Sequence, residues 1–540
     1  MRRNINKVNV RSHYVYLILF FIFLLQFINS DYGNQVNNFS YLDASSVDLS
    51  NVTQTLSSNS INDSNIKRSE NIDKYLMRYS LYSIESDEML SIRALSRIKP
   101  SEYQFDPHYY AYGGGYLYPL GVWFFTLKKI GVINIGDLGW MMENPGEVEK
   151  IYRYGRIFVL IAFLISALIF YNLICTFQRS SIALLATTVY LFTPALIMFS
   201  IVMKPHAYTL VWCNLALLAL FQSWKSKRIS NKNIALVGVS TGIAVGSILT
   251  YSIFALFVWF GVLYLVIINK TKTNVLFIVP LISIVTFFIL NPYIILNFEA
   301  FVTEYSAQED WFEWGDSLSV VVSLIKNSIL LGLGISYIFL LIHTAIAFFK
   351  RSSSVWSRMN ILAIWSTIVF IAFISASVSK WHVNSRYFFY LVPILLIVLI
   401  FYRKRNINTM LSILLAFNLL QSFPLVLAYH DEDNEKYSTR LKSAIWVNNN
   451  IDKNKIICTN GKSIAPYDTP PFDFKSYHIA NKTSRCDVLI AIERQSDQVD
   501  NVVNSSLLAR FKPRYTLEQM PFVFSHINPQ ISIYRLENEK

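Results

Sequence analysis

Long apolar runs set the pattern of this chain. They lie near residues 14–30, 156–176, 181–201, 207–223, 233–250, 252–268, 274–295, 320–349, 359–379, 386–402 and 408–429, eleven in all. A bilayer core about 30 Å thick takes roughly 20 apolar residues in a helix, so each run predicts a membrane-spanning helix. The polar positions between the runs test that count. Arg2, Arg3, Lys7 and Arg11 precede the first run. Taken two spans at a time, the loops then carry Arg179, Lys225 with Lys227, Arg228 and Lys232, Lys270 with Lys272, Lys350 with Arg351 and Arg358, and Arg403 with Lys404 and Arg405. Basic loops mark the cytoplasmic face, and here all of them fall on one side. The other side receives Glu299, Glu304, Glu309, Asp310, Glu313 and Asp316. An odd number of spans from a cytoplasmic N-terminus leaves the tail outside.

Two segments bear on this scheme. Tyr116 to Leu127 is apolar and aromatic, but roughly a dozen residues do not cross a bilayer, and Lys128 and Lys129 follow. It is read as an interfacial helix on the outer face, because a span there would invert every later loop. The first run has the basic start and apolar middle of a signal peptide, but its apolar stretch is longer than usual and no clear cleavage site precedes Asp31. It is taken as an uncleaved first helix.

The expected fold is mostly α: a polytopic transmembrane helical protein of about 11 spans, with a large first outer loop and a small C-terminal extracytoplasmic α/β domain. The membrane part covers 1–430. Within it, 31–80 is an Asn- and Ser-rich outer insertion with sequons at Asn38, Asn51 and Asn62, too polar to order itself, and 81–155 is a first outer loop with interfacial helices. The tail, 431–540, mixes β-like runs at Lys455 to Cys458, Asp487 to Ile492 and Ile531 to Tyr534 with a helical stretch from Thr439 to Asn448. Cys458 and Cys486 lie in it, on the side where oxidation is permitted. They are open to two readings, a disulfide or two buried thiols on neighbouring strands.

Composition agrees. The 540 residues are 53% hydrophobic and only 15% charged, against about 25% charged in soluble proteins. This excludes disordered, collagen-like and coiled-coil classes. The net charge of +13 would suggest nucleic acid in a soluble protein, but here the basic excess sits in the cytoplasmic loops. Cys175 and Cys213 fall inside spans and read as packing residues.

The middles of the spans are nearly free of charge, apart from Lys326 and His343 in the eighth. Transporters and ion pathways place ionisable groups there. The chemistry-bearing groups instead collect at the outer edge. The first outer loop holds Asp87 and Glu88, and later Asp106-Pro-His108-Tyr-Tyr110-Ala-Tyr, Gly113-Gly-Gly and Tyr118-Pro119. Lys204-Pro-His206 follows the third span, Glu309 to Trp314 the seventh, and Lys380-Trp-His382-Val-Asn-Ser-Arg386-Tyr387 the ninth. Carboxylates and cations on one edge suit a reaction that needs a base for a hydroxyl and positive charge for a departing phosphate. The planar fork of arginine matches phosphate. Read singly, Arg386-Tyr387 is a headgroup anchor, Asp87-Glu88 a solvated helix start, and His108, His206 and His382 ordinary interfacial residues. Three histidines on one face leave room for a divalent metal, Mg or Mn, although their spacing matches no standard ligand motif.

The order of these features resembles the GT-C glycosyltransferases, in particular the protein-mannosyltransferase-like and aminoarabinose-transferase-like family. The similarity runs from the basic N-terminus and Asp87-Glu88 through Asp106 to Tyr112, Tyr118-Pro119, Tyr154-Gly-Arg156, Gly242 to Tyr251, Asn291-Pro-Tyr, Arg386-Tyr387 with Pro393, and Thr439-Arg440 to Trp446. It covers most of the chain, and the order is more specific than any one short motif. The resemblance implies a polyprenyl- or dolichyl-phosphate sugar donor, used on the outer or lumenal face with inversion at the anomeric carbon. It gives Asp87 the role of base or acceptor-orienting residue, with Glu88 as its neighbour, and places Arg386 and Tyr387 near the donor phosphate; Lys204, His206, Lys380, His382, His108 and Tyr110, on the same outer edge, are further candidates for binding the donor phosphate or the substrate. The acceptor is left open among protein, glycolipid and polysaccharide, with the lipid bilayer as surroundings, and the one-sided basic loops call for no nucleic acid. Lys204 and His206 stand where many members carry an acidic residue, and the insertion before Asp87 is longer than usual.

Other classes stay in view. A lipid-linked polysaccharide polymerase or ligase would share the donor chemistry but use an oligosaccharide donor. A flippase predicts paired polar groups at the midplane and repeated halves. A non-catalytic scaffold carrying the tail is a further reading.

Overall fold

The computed structural model describes residues 9–33, 72–85, 87–269, 272–306, 333–349, 385–402, 406–459, 469–480, 486–493, 505–515 and 527–536. The chain is mostly helical, with a small sheet toward its C-terminus. Among the described residues five helices are long and apolar enough to cross a membrane: His13–Asp31, Pro145–Cys175, Pro205–Ser226, Leu249–Ile267 and Ile407–Glu432. They fall on the first, second, fourth, sixth and eleventh apolar runs.

The other runs are shorter or interrupted as helices. The third ends as Ser180–Leu191 and resumes as Pro194–Phe199, because Pro194 has no N–H to continue the ladder. The fifth, seventh and tenth give Asn231–Ser247, Val275–Leu290 and Leu391–Tyr402. The eighth is described only in its second half, as Ile335–Phe349. The ninth, at 359–379, lies outside the described residues, as do Lys326, residues 34–71 of the polar insertion and the acidic loop from Glu309 to Asp316. Tyr116 to Leu127, read as interfacial, forms part of a 16-residue helix, Gly114–Lys129.

The chain divides into two compact units. The first comprises Met1–Phe27, Ala94–Val122 and Arg156–Phe423. Here Asn231–Ser247 packs against both Pro205–Ser226 and Val275–Leu290. Gly238, Gly242 and Gly246 recur every four residues and so share one face. A Cβ at Gly238 would lie 2.7 Å from the Ile282 side chain, so the stripe lets two backbones approach as close as small-residue helix pairs do. Between helices without a water-driven attraction, buried polar bonds add direction. Asn214 Nδ2 donates to the Ser166 carbonyl at 3.0 Å, the Thr193 and Tyr337 hydroxyls meet at 2.7 Å, and Asn418 Nδ2 donates to the Val189 carbonyl at 3.0 Å.

The second unit comprises Ile28–Arg93, Trp123–Gly155 and Pro424–Lys540. Its five-stranded sheet is built from β1 (Ile456–Thr459), β2 (His478–Ala480), β3 (Val488–Glu493), β4 (Ser505–Phe511) and β5 (Gln530–Leu536), in the order β2-β1-β3-β5-β4. β1 pairs parallel to β2 and β3, whereas β5 runs antiparallel to β3 and β4. Helix Thr439–Asn450 packs on β4 and β5, with Ser438 accepting a bond from the Leu441 N–H as its cap. Cys458 on β1 and Cys486 just before β3 are joined in a disulfide and both are buried. Arg440, fully buried, donates to Glu432 at 2.6 Å. Such a pair is retained because either charge alone in that interior would be strongly unfavourable. Tyr79, on helix Ile72–Leu81, donates its hydroxyl to the Thr469 carbonyl and packs against Phe474 at 4.9 Å.

Candidate functional site

Two of the outer-edge segments converge in the first unit. Lys204 is the N-terminal cap of Pro205–Ser226, and Pro205 occupies the first helical position, where a missing N–H is harmless. The turn that presents it is tight: the Lys204 N–H donates to the Val202 carbonyl at 2.7 Å. Lys204 and His206 are each only 1% exposed. Arg386 and Tyr387 lie on the short 3-10 turn Ser385–Phe388. The His206 ring packs on Tyr387 at 6.0 Å, on Phe199 at 5.9 Å and on Phe389 at 6.4 Å. Lys204 Nζ lies 6.0 Å from the Phe199 ring centre. Arg386 stands 5.3 Å from the centre of the Tyr387 ring and donates from Nη2 to its hydroxyl at 3.3 Å. Tyr251 donates to the His206 carbonyl at 3.1 Å, fixing the first turn of the helix.

The result is a cluster of cationic or protonatable groups in an aromatic surround, at the N-terminal end of a 22-residue helix. Helix N-termini carry a partial positive charge and attract anions. The arrangement can therefore hold a phosphate-sized anion, with Arg386 supplying a planar fork and Lys204 a point charge. The aromatic rings would accept an apolar neighbour of that anion. Lys380 and His382 lie outside the described residues.

The Asp106 loop forms a second cluster in the same unit. Asp106 Oδ1 accepts the His108 N–H at 2.8 Å, which holds His108 at a positive φ of 45°. The Tyr110 hydroxyl donates to Asp106 at 3.2 Å, and Asn297 Nδ2 does so at 3.1 Å. Glu304, on helix Phe298–Ser306, accepts the N–H groups of Tyr110 at 2.9 Å and Ala111 at 3.2 Å. Arg97 closes the loop by donating to the His108 carbonyl at 2.8 Å. Burial, aided by Asp106, pushes the Glu304 carboxyl up to about 7, against the opposing pull of the two N–H groups and Arg97. Burial, followed by the charge of Asp106, also raises the Tyr110 hydroxyl.

The glycine run beyond it has a packing cause. A Cβ on Gly113 would overlap the Gly246 carbonyl, and one on Gly114 the Leu290 carbonyl. Gly113 N–H donates to the Ser247 carbonyl at 3.0 Å and Gly114 N–H to Asn291 Oδ1 at 2.9 Å, while Asn291 Nδ2 reaches the Gly246 carbonyl at 3.2 Å.

Asp87 and Glu88 fall in the second unit. Glu88 opens helix Glu88–Arg97 and is fully buried, accepting the Ser83 hydroxyl at 2.6 Å, while its own N–H donates to the Glu85 carbonyl at 3.0 Å. Asp87, on the turn before it, is half-buried. Of the pair, Glu88 anchors the turn and Asp87 is the more exposed.

Four of the residues singled out from the sequence, Lys204, His206, Arg386 and Tyr387, are brought together. His108 and Tyr110 belong to the Asp106 loop. Phe199, Tyr251 and Phe389 were missed around His206, as were Asn297 and the grip of Glu304 on Tyr110. Apolar and amide residues of these kinds carry no signal apart from their partners. Among the described residues no three His, Cys, Asp or Glu side chains gather as a metal set. His206 is ringed by aromatic groups, whereas His108 sits 3.7 Å from Asp106. A scan against protein-family models and a search of curated proteins each found no match.

Proposed function

We propose that this chain is a multi-pass membrane glycosyltransferase of the GT-C type. It moves a sugar from a polyprenyl- or dolichyl-phosphate donor to an acceptor hydroxyl on the outer or lumenal face. One observation carries the reading: Lys204 and His206 converge with Arg386 and Tyr387 although about 180 residues separate them in sequence. A buried lysine and a partly buried arginine in an aromatic surround suit a phosphate attached to an apolar chain better than they suit a water-filled ion path. On this reading the chain crosses the membrane eleven times, with its basic loops in the cytoplasm and its C-terminal sheet outside.

The reaction is a single displacement with inversion. The acceptor oxygen forms a bond to the anomeric carbon as the bond from that carbon to the lipid-phosphate oxygen breaks. Asp87 takes the hydroxyl proton, and Glu88 holds the turn that presents it. The lipid phosphate departs as an anion toward Arg386 and Lys204, whose charge is already in place.

Transfer of labelled sugar from a lipid-phosphate donor in membranes tests this. Asp87→Asn is expected to fall by roughly 10²–10⁴-fold at normal expression, the range of a lost general base. Full activity in that variant refutes the assignment of Asp87. The product's mass separates a single-sugar donor from an oligosaccharide donor.

A further inference from the structure

The second unit holds a cavity of about 890 Å³ among the end of the first apolar helix, the first turns of helix Pro145–Cys175 and the end of helix Ile407–Glu432. Ligand sites for small molecules run from roughly 300 to 1,000 Å³, so this space can take more than one ring. It shares no residue with the two clusters of the first unit or with Asp87 and Glu88.

Its wall has a particular chemistry. Asp31, Glu149, Asp433 and Glu435 present acceptors, while Lys150, Arg153 and Asn434 present donors. Several are held before any ligand arrives. Arg153 Nε pairs with Asp31 at 3.0 Å, Lys150 with Glu147 at 2.7 Å, and the Gly33 N–H donates to Asp433 at 2.8 Å. Oε1 of Glu149 is buried without a hydrogen-bond partner. Tyr32 and Tyr429, each 2% exposed and packed edge to face at 4.5 Å, back the wall.

Both signs in one wall decide the ligand class. An anion would meet the carboxylates, and a cation would meet Lys150 and Arg153. A hydroxyl both donates and accepts, so a ligand covered in hydroxyls can meet both kinds of polar group in the wall. Groups already fixed by their neighbours lose little entropy on binding. We propose that this cavity is a carbohydrate-binding site for an uncharged, hydroxyl-rich saccharide of one to three units. The proposal does not require that the chain transfer sugars.

The full chain, in a sugar-free detergent or a lipid nanodisc, can be titrated by saturation-transfer NMR. The probes are glucose, mannose, galactose, N-acetylglucosamine, lactose and chitobiose, with glucosamine, glucose 6-phosphate and glycerol beside them. At least one uncharged saccharide is expected to bind with a Kd of about 1 mM or tighter. Glu149→Gln and Asn434→Ala should each weaken it about tenfold or more with an unchanged melting temperature, and Arg386→Ala should leave it as it was. The two variants remove different groups, so one that fails to fold leaves the other to decide. The proposal is overturned if only glucosamine or glucose 6-phosphate binds, if glycerol competes as well as the sugars, if no saccharide binds at about 10 mM, or if both variants bind normally. Because Arg386 lies outside this cavity, loss of transfer and loss of this binding are separate results.

Discussion

Two regions of the first unit gather residues from far apart in sequence, and they do so by different physics. The Phe105–Gly115 segment is gripped by main-chain contacts: Glu304 takes the N–H groups of Tyr110 and Ala111, Asn291 takes that of Gly114, and Gly113 presses on the Gly246 carbonyl. Lys204, His206, Arg386 and Tyr387 instead meet through rings and side-chain charge. The first arrangement consumes its polar groups in holding itself together. The second gathers cationic and aromatic side chains at one helix start. The contrast separates a main-chain clasp from a side-chain cluster, the one to which the proposed function assigns the donor phosphate.

The largest effect should come from the clasp. Gly113→Ala places a methyl group into a backbone carbonyl that has no side chain to move aside. It is expected to destabilise the fold by more than about 3 kcal/mol and to abolish the monodisperse peak in size-exclusion chromatography. A well-folded Gly113→Ala chain would mean that the segment is looser than described. Next comes the cationic patch. Arg386→Ala should lower sugar transfer by roughly 10²–10³-fold with no change in melting temperature, and Arg386→Lys should recover part of it because the charge returns without the fork. A loss of stability as large as the loss of activity would place Arg386 on the structural side of the comparison.

A smaller effect is pH-dependent. The Glu304 carboxyl stands at about 7 rather than 4.5 in the folded chain. The folded state therefore binds more protons than the unfolded state between those values, and stability falls as pH rises from about 4.5 to 7. Glu304→Gln removes the titrating group, so melting temperatures taken across that window should flatten by the equivalent of about 1–3 kcal/mol. An unchanged slope would assign the pH dependence to another group. The smallest effect belongs to Tyr387→Phe, which keeps the ring packed on His206 but removes the hydroxyl that Arg386 reaches. Losing that bond is worth about 1 kcal/mol, a roughly fivefold rise in KM for the lipid donor. Tyr387→Ala should do more, because it also removes the packing.

Much of the helical plan was legible in the apolar runs, since a span must be long and apolar whatever it packs against. The interruption at Pro194 was legible in principle for the same local reason. Three strands of the tail could be read from their apolar stretches. β2 is three residues long, and β4 exposes Leu507 and carries Arg510, so neither shows the pattern of a buried strand. Lys204, His206, Arg386 and Tyr387 stood out one by one as polar or aromatic groups beside apolar runs, but their meeting is a tertiary fact that no spacing reports. The grip of Glu304 was illegible for a different reason. Its partners are main-chain N–H groups, which every residue but proline possesses.

The buried bond between Cys458 and Cys486 also bears on how the protein is made. Such bonds persist in oxidising compartments, whereas the ribosome works in a reducing one. If the tail lies outside, as proposed, β1 and β3 can pair as soon as both are synthesised, but their latch closes only after delivery to the oxidising side. Chains carrying two free thiols at these positions would then be a record of undelivered tails. Trapped by alkylation and resolved as a mobility shift, their share of the total would time the last step of membrane insertion.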